Sequence, residues 1–196
     1  MSSITKSTRR TSSTTDLALI AAFAALIAVC AQISFEGLAD VPFTLQMFAI
    51  FLAGAVLGAK RGFLAVVLYL AVGTAGVPVF AQWSGGPSVW TGASAGYLIA
   101  FPIAAFLLGL VATRVSRASS NPAIFVGVVA AAAAILTIAV VGTIGTVGMA
   151  IKFDIDLKAA WAYATPFFVV DIIKGVFAAI VAAAVLRAFP QLVAKR

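Results

Sequence analysis

Histidine is absent from this chain of 196 residues, and cysteine occurs once, at Cys30. Histidine-based triads, histidine-liganded zinc sites and a disulfide framework are therefore excluded. Charge is scarce too. Only 10% of the residues are charged and 63% are hydrophobic. An average soluble domain is about 45–50% apolar and about 25% charged. So little polar surface cannot cover a water-facing globule, and the chain reads as an integral membrane protein. No G-x-x-x-x-G-K-[ST] loop is present, so the chain does not hydrolyse ATP by itself. Asp171 is the one acid inside an apolar span, which leaves no intramembrane carboxylate pair for acid–base hydrolysis. No convincing pair of inverted repeats marks an ion-coupled carrier.

What is present is a series of apolar runs. They cover Leu17–Ile33, Leu45–Ala59, Gly62 to about Gly73–Pro78, Ser94–Thr113, Ala123–Ile151 and about Trp161–Leu186. A helix needs about 20 residues to cross hydrocarbon. The second run is short by that measure, and Phe43 or Thr44 would extend it. The fifth is long, so either it tilts or its glycine-rich end (Gly142, Gly145, Gly148) leaves the bilayer. The expected fold is all-α, a polytopic membrane protein of six transmembrane helices. Residues 17–190 form its single domain, preceded by a disordered, basic, Ser/Thr-rich tail over residues 1–16. A basic tail before an apolar run is also the pattern of a signal peptide. This run exceeds the usual length, however, and Val29 before Cys30 makes a poor lipoprotein cleavage site.

The net charge of +7 fits topology better than nucleic acid, because the basic residues lie between the runs. Six spans place Lys6, Arg9, Arg10, Lys60, Arg61, Arg114, Arg117, Arg187, Lys195 and Arg196 on one side. The other side has only Lys152 and Lys158, among Glu36, Asp40, Asp154 and Asp156. The positive-inside rule then sets both termini in the cytoplasm of a multi-pass cell-membrane protein.

The sixth run contains PFFVVDIIKG. Asp171 and Lys174 stand three residues apart and share a helix face. Ionisable groups inside a membrane are costly and face a cavity or the protein interior. The pair either neutralises itself or forms a polar ligand site. In that site Lys174 would take a charged or carbonyl oxygen and Asp171 would accept from ligand N–H groups. If Thr165 caps a helix and Pro166 is its first residue, the pair sits about 7.5 Å in. If the helix begins at Trp161, the pair lies near the midplane.

Residues 73–98, GTAGVPVFAQWSGGPSVWTGASAGYL, form a long uncharged connection. Long connections between packed helices are often functional. Gly86 and its neighbours allow tight turns beside a ligand, and Trp83, Trp90 and Tyr97 offer flat faces with polar edges. The same aromatics also suit an interfacial belt. Thr44 and Gln46 open the second span. Gln46 either caps a helix end or hydrogen-bonds a ligand. In the first span Ala18, Ala21, Ala22, Ala25 and Ala28 have small-xxx-small spacing. Such a stripe serves either internal packing or docking to a partner membrane subunit.

VPFTLQMFAIFLAGAVLGAKRGFLAVVLYLAVGTAGVPVFA, then GYLIAF and FFVVDIIKG, resemble the BioY family. These are biotin-specific substrate-binding (S) components of energy-coupling factor (ECF) transporters. The resemblance runs from about Leu17 to the end of the sixth span. Where the family often shows GPTGGYL, this chain has TGASAGYL, with Thr91, Ala93 and Ser94 departing. The resemblance implies six helices, cytoplasmic termini, location in the bacterial cytoplasmic membrane and no enzymatic activity of the chain's own. It implies biotin as ligand, in a pocket near the outer face to which Asp171 and Lys174 contribute. Gln46, Tyr97, Trp90, Trp83, Thr44 and Gly86 are further pocket candidates. It implies that the alanine stripe docks a transmembrane coupling (T) subunit, and that two ATPase subunits use the ATP. No cofactor and no nucleic-acid partner are expected. The alternatives are an S component for a different vitamin, an intramembrane enzyme needing a second polar group opposite Asp171, and a structural membrane subunit indifferent to that pair.

Overall fold

The computed structural model describes residues 13–38 and 41–194. Its helices are α1 (Ser13–Gln32), α2 (Gln46–Leu57), α3 (Ala59–Thr74), α4 (Ala95–Ala118), α5 (Pro122–Leu136), α6 (Thr143–Phe153), α7 (Leu157–Ala188) and α8 (Gln191–Ala194). A π-turn over Thr137–Gly142 joins α5 to α6 in one continuous rod, Pro122–Phe153. Four rods are long and apolar enough to cross a membrane: α1, α4, α5–α6 and α7. At 1.5 Å per residue, α2 and α3 extend only about 18 and about 24 Å, short of a ~30 Å hydrocarbon core. The expected helical extension of the second run through Phe43 and Thr44 does not form. Those residues belong to a strand.

That strand is β2 (Val41–Thr44), antiparallel to β1 (Ser34–Leu38). Ser34 pairs with Thr44 and Phe35 with Phe43, and the register breaks before Leu38–Val41. The amide of Leu45 donates to the Ile33 carbonyl at 3.0 Å and closes the hairpin's base. The all-α expectation is corrected here by one small hairpin. Runs this short carry too little alternation to be legible in the sequence.

Helix α2 occupies the centre. Every residue from Gln46 to Leu57 except Phe48 is buried, as a helix apolar on all sides should be. The chain leaves α2 through Gly58, whose φ of 80° favours glycine. It returns as α3 so closely that a Cβ on Gly62 would lie 2.8 Å from the Gly54 Cα. The outer surface is apolar instead of charged. Ile103, Ile135, Val169, Ile173, Phe177 and Ile180 are all exposed. A soluble protein rarely presents so much contiguous apolar surface, and a bilayer covers it.

The glycines at the end of the fifth run serve close packing. A Cβ on Gly145 would lie 2.2 Å from Tyr97 Cε1, and one on Gly148 would lie 2.8 Å from the Gly96 Cα. Helix α6 therefore seats directly on the start of α4. Of the tail expected over residues 1–16, residues 1–12 lie outside the described residues, and 13–16 form the first turn of α1. Lys6, Arg9, Arg10, Lys195 and Arg196 also lie outside them. Lys60, Arg61, Arg114 and Arg117 do gather at one end, around a cavity that Asp16 also lines. There Arg61 pairs with Asp16 at 3.0 Å and ties α3 to α1.

Candidate functional site

At the opposite end from that basic cluster, α2, α3, α4, α6 and α7 enclose a cavity of about 330 Å³. It lies within the range of about 300–1,000 Å³ usual for small-molecule sites. Two irregular segments cover it. One is the β1–β2 hairpin, through Pro42, Phe43 and Thr44. The other is the α3–α4 loop, through Phe80–Gln82, Ser84, Val89 and Gly92–Ser94.

Helix α7 supplies the charged pair. Asp156 caps its N-terminus by accepting from the Ala159 amide at 2.8 Å. The cap expected at Thr165 does not occur, because that hydroxyl donates to the Trp161 carbonyl of an unbroken helix that includes Pro166. Asp171 consequently lies about 21 Å along α7 and not near its start. Lys174 Nζ donates to Asp171 Oδ1 at 2.6 Å, and both side chains line the cavity. Their side chains are 13% and 18% exposed, Lys174 first. A pair this withdrawn from water holds full charges only because each neutralises the other.

Three further polar groups reach the same space. Gln46, in the first turn of α2, is buried, and its Nε2 donates to the Tyr69 hydroxyl at 2.9 Å. It does not cap the helix. The N-cap position is Leu45, without a side-chain cap, and the Thr44 hydroxyl accepts the Gln46 amide at 3.3 Å just before it. Tyr97, in the first turn of α4, is held between Gly145 and the cavity. Its hydroxyl is buried and has no hydrogen-bond partner among the described residues. Leaving such a group unsatisfied costs about 1–3 kcal/mol, which a ligand acceptor or donor would recover. The walls are aromatic. Phe43 stacks on Phe167 with ring centroids 4.1 Å apart, and Phe80 meets Tyr69 edge-on at 5.3 Å.

Of the residues expected in a pocket, Asp171, Lys174, Gln46, Tyr97 and Thr44 line the cavity together. Trp83, Trp90 and Gly86 are absent from its lining. Trp83 is 71% exposed at the tip of the loop. Trp90 donates from Nε1 to the Thr74 hydroxyl at 3.0 Å, and the Gly86 amide donates to the Gly73 carbonyl at 2.8 Å. These two fasten the loop to α3. Sequence reasoning missed Tyr69, Lys152 and the Phe43–Phe167 stack. A tyrosine within an apolar run was the available signal for Tyr69. Nothing local marks Lys152, which joins the rim because α6 packs on α4. In the alanine stripe, Ala18, Ala21, Ala22 and Ala25 are exposed and Ala28 is half-buried. Internal packing therefore accounts for Ala28, which lies against the core, and not for the four exposed alanines. Ala24, Ile27 and Ala31 make the buried face of α1.

A helical bundle with an apolar outer face, a charged pair lining a partly covered cavity and two segments over it defines a polytopic membrane protein with a candidate small-molecule site. The particular family follows from comparison. The chain belongs to the BioY family, whose model matches residues 4–191, as its motifs led one to expect. It is similar to the probable biotin transporter BioY of Pyrococcus horikoshii, 50% identical over 95 residues, 48% of this chain and 58% of that one. It is similar to the biotin transporter BioY of Thermotoga maritima, 50% identical over 92 residues, 47% of this chain and 54% of that one. These matches span little more than half of each relative's length. The biotin transporter BioY of Rhizobium etli is 32% identical over 185 residues, 93% of this chain and 99% of that one. A crystal structure of the S-component for biotin from an ECF-type ABC transporter has the same fold. Its TM-score is 0.76 at 25% identity, over 89% of this chain and 92% of that one.

Proposed function

We propose that this chain captures biotin from outside the cell and carries it across the bacterial cytoplasmic membrane as the S component of an ECF-type transporter. The observation that carries this reading is the convergence of Asp171, Lys174, Gln46 and the orphan Tyr97 hydroxyl on one aromatic-walled cavity. Biotin has a ureido ring with two N–H donors and a carbonyl, an apolar thiophane body and a carboxylate. Asp171 accepts from the ureido N–H groups. Lys174 donates to a charged or carbonyl oxygen. The aromatic walls cover the apolar ring system. Among the described lining residues, two lysines, Lys152 and Lys174, stand against one carboxylate, Asp171, a formal balance that suits a monoanionic ligand.

The four rods together with the shorter α2 and α3 make six crossings, with both termini and the Lys60–Arg117 end in the cytoplasm. Helices α2 and α3 are short because the hairpin and the α3–α4 loop fill the outer part of the layer. Protein surrounds that irregular backbone, as hydrocarbon requires. The exposed alanine face of α1 meets the T subunit, where small side chains let helices approach closely. Two ATPase subunits supply the energy, and the S component reorients against the T subunit to release biotin inward. The chain performs no chemistry on its ligand.

Calorimetry with purified protein tests the site. Selective biotin binding over thiamine and riboflavin, lost in Asp171→Asn and Lys174→Ala, is the expected result. No binding by a folded, monodisperse sample, or binding of thiamine or riboflavin instead, overturns the biotin assignment. Ala22→Trp is expected to keep biotin binding and to lose co-purification with the T subunit.

A further inference from the structure

Gln32 ends α1, and its side chain bridges its own helix, where Nε2 donates to the Ala28 carbonyl at 3.3 Å, and the α3–α4 loop. Its Nε2 donates to the carbonyls of Val79 and Phe80, each at 3.0 Å. Its Oε1 accepts the Trp83 amide at 3.1 Å. One amide thus satisfies three backbone groups of a segment 47–51 residues away.

The segment it grips has reason to open. Gln82 and Trp83 both have φ of 57°, in the left-handed region that non-glycine residues avoid. The turn is shut on itself by the Phe80 amide donating to the Ser84 carbonyl at 3.0 Å. Phe80 is then pressed into the bundle, so close to Gly73 that a Cβ there would lie 2.3 Å from its ring. The far half of the loop is tied to α3, from which it grows, by Gly86–Gly73 and Trp90–Thr74. Among the described residues, the near half is hydrogen-bonded to a different helix through Gln32. The next residue, Ile33, closes the base of the other cover by accepting the Leu45 amide. Gln32 therefore stands at the joint between the two segments that roof the cavity.

We infer that Gln32 is a positioning residue, the latch that holds the α3–α4 loop shut over the cavity, and that its release sets the rate at which the ligand leaves. The ligand part of this inference rests on the biotin reading above. Gln32 is absent from the cavity lining, so its loss acts on closure and spares the pocket's own polar groups.

The test uses the full chain in lipid nanodiscs with Gln32→Glu and Gln32→Met. Gln32→Glu keeps the acceptor for Trp83 and turns the donor into an oxygen facing the two loop carbonyls. Gln32→Met keeps the volume and removes all three bonds to the loop. Amide hydrogen exchange of residues 79–86 without ligand is expected to quicken about tenfold in both variants, with α4 unchanged as the sign of an intact fold. Dissociation of radiolabelled biotin is expected to quicken about tenfold, with association changed by less than about threefold. Unchanged exchange in the loop of folded Gln32→Glu overturns the latch. Faster exchange with an unchanged dissociation rate overturns its control of release. If the unmodified protein binds no biotin, the biotin reading fails, while the exchange data still decide the latch.

Discussion

The molecule has two ion pairs among its described residues, one toward each end, and they do different work. Lys174 and Asp171 are neighbours on one helix, 2.6 Å apart, both withdrawn from water and both facing a cavity. Arg61 and Asp16 come from different helices, 3.0 Å apart, and Asp16 is 43% exposed. Arg61 also donates from Nε to the Leu57 carbonyl. The second pair joins α1 to the α2–α3 corner. The two pairs thus differ in their partners: the first has both members withdrawn from water beside a cavity, and the second sets a buried arginine against a half-exposed aspartate.

The sharpest way to break this contrast is to remove one member of each pair. Lys174→Ala leaves the Asp171 carboxylate without its cation in a dry site. Biotin affinity is expected to fall at least about 100-fold, about 2.7 kcal/mol, by calorimetry. A comparable loss in Asp16→Asn would erase the distinction between the two ends.

Packing around the cavity comes next. Gly145→Ala forces a methyl against the Tyr97 ring, and overpacking of this kind costs about 1–3 kcal/mol. Thermal unfolding is expected to shift down and biotin binding to weaken with it. Gly127→Ala is the control, because nothing lies within 4 Å of its added Cβ. It is expected to leave both unchanged.

Tyr97→Phe deletes the orphan hydroxyl and keeps the ring. Unliganded stability is expected to hold or rise slightly, while affinity falls about tenfold, about 1.4 kcal/mol. Equal losses in both measurements would mean that the hydroxyl serves the fold and not the ligand.

The smallest effect belongs to the basic end. Asp16→Asn is expected to lower stability by less than about 1 kcal/mol, since the aspartate is substantially exposed and screened. Biotin affinity should stay within twofold of the parent in the same calorimetric assay.

The contrast also shows what was legible in the sequence. Asp171 and Lys174 stood out because two charges in an apolar run are conspicuous and their spacing is local. Arg61–Asp16 was invisible, because 45 residues separate its partners. Gln46 was legible as a polar residue at a span's edge, but its hydrogen bond to Tyr69, 23 residues away, was not. Trp83 and Trp90 drew attention by type, yet they serve the loop's surface and its attachment. The glycines at the end of the fifth run stood out by type, but their close packing against α4 was not legible. The alanine stripe could face in or out, and the outward direction was set by Ile27 and Ala31 packing inward.

By itself the sequence determined the membrane class, the order and approximate ends of the apolar runs, the charge asymmetry between the loops, and one ionisable pair on a common helix face. Each follows from composition or from spacing within a few residues, where hydropathy and helical geometry act locally. Only the tertiary structure decided which polar groups share a cavity, that Tyr97 lacks a partner, that α2 is the central helix, and that Gln32 grips a loop from another part of the chain. Those outcomes depend on contacts between residues distant in sequence. Close packing fixes them through the shapes of facing side chains, and no local pattern in the sequence encodes those shapes.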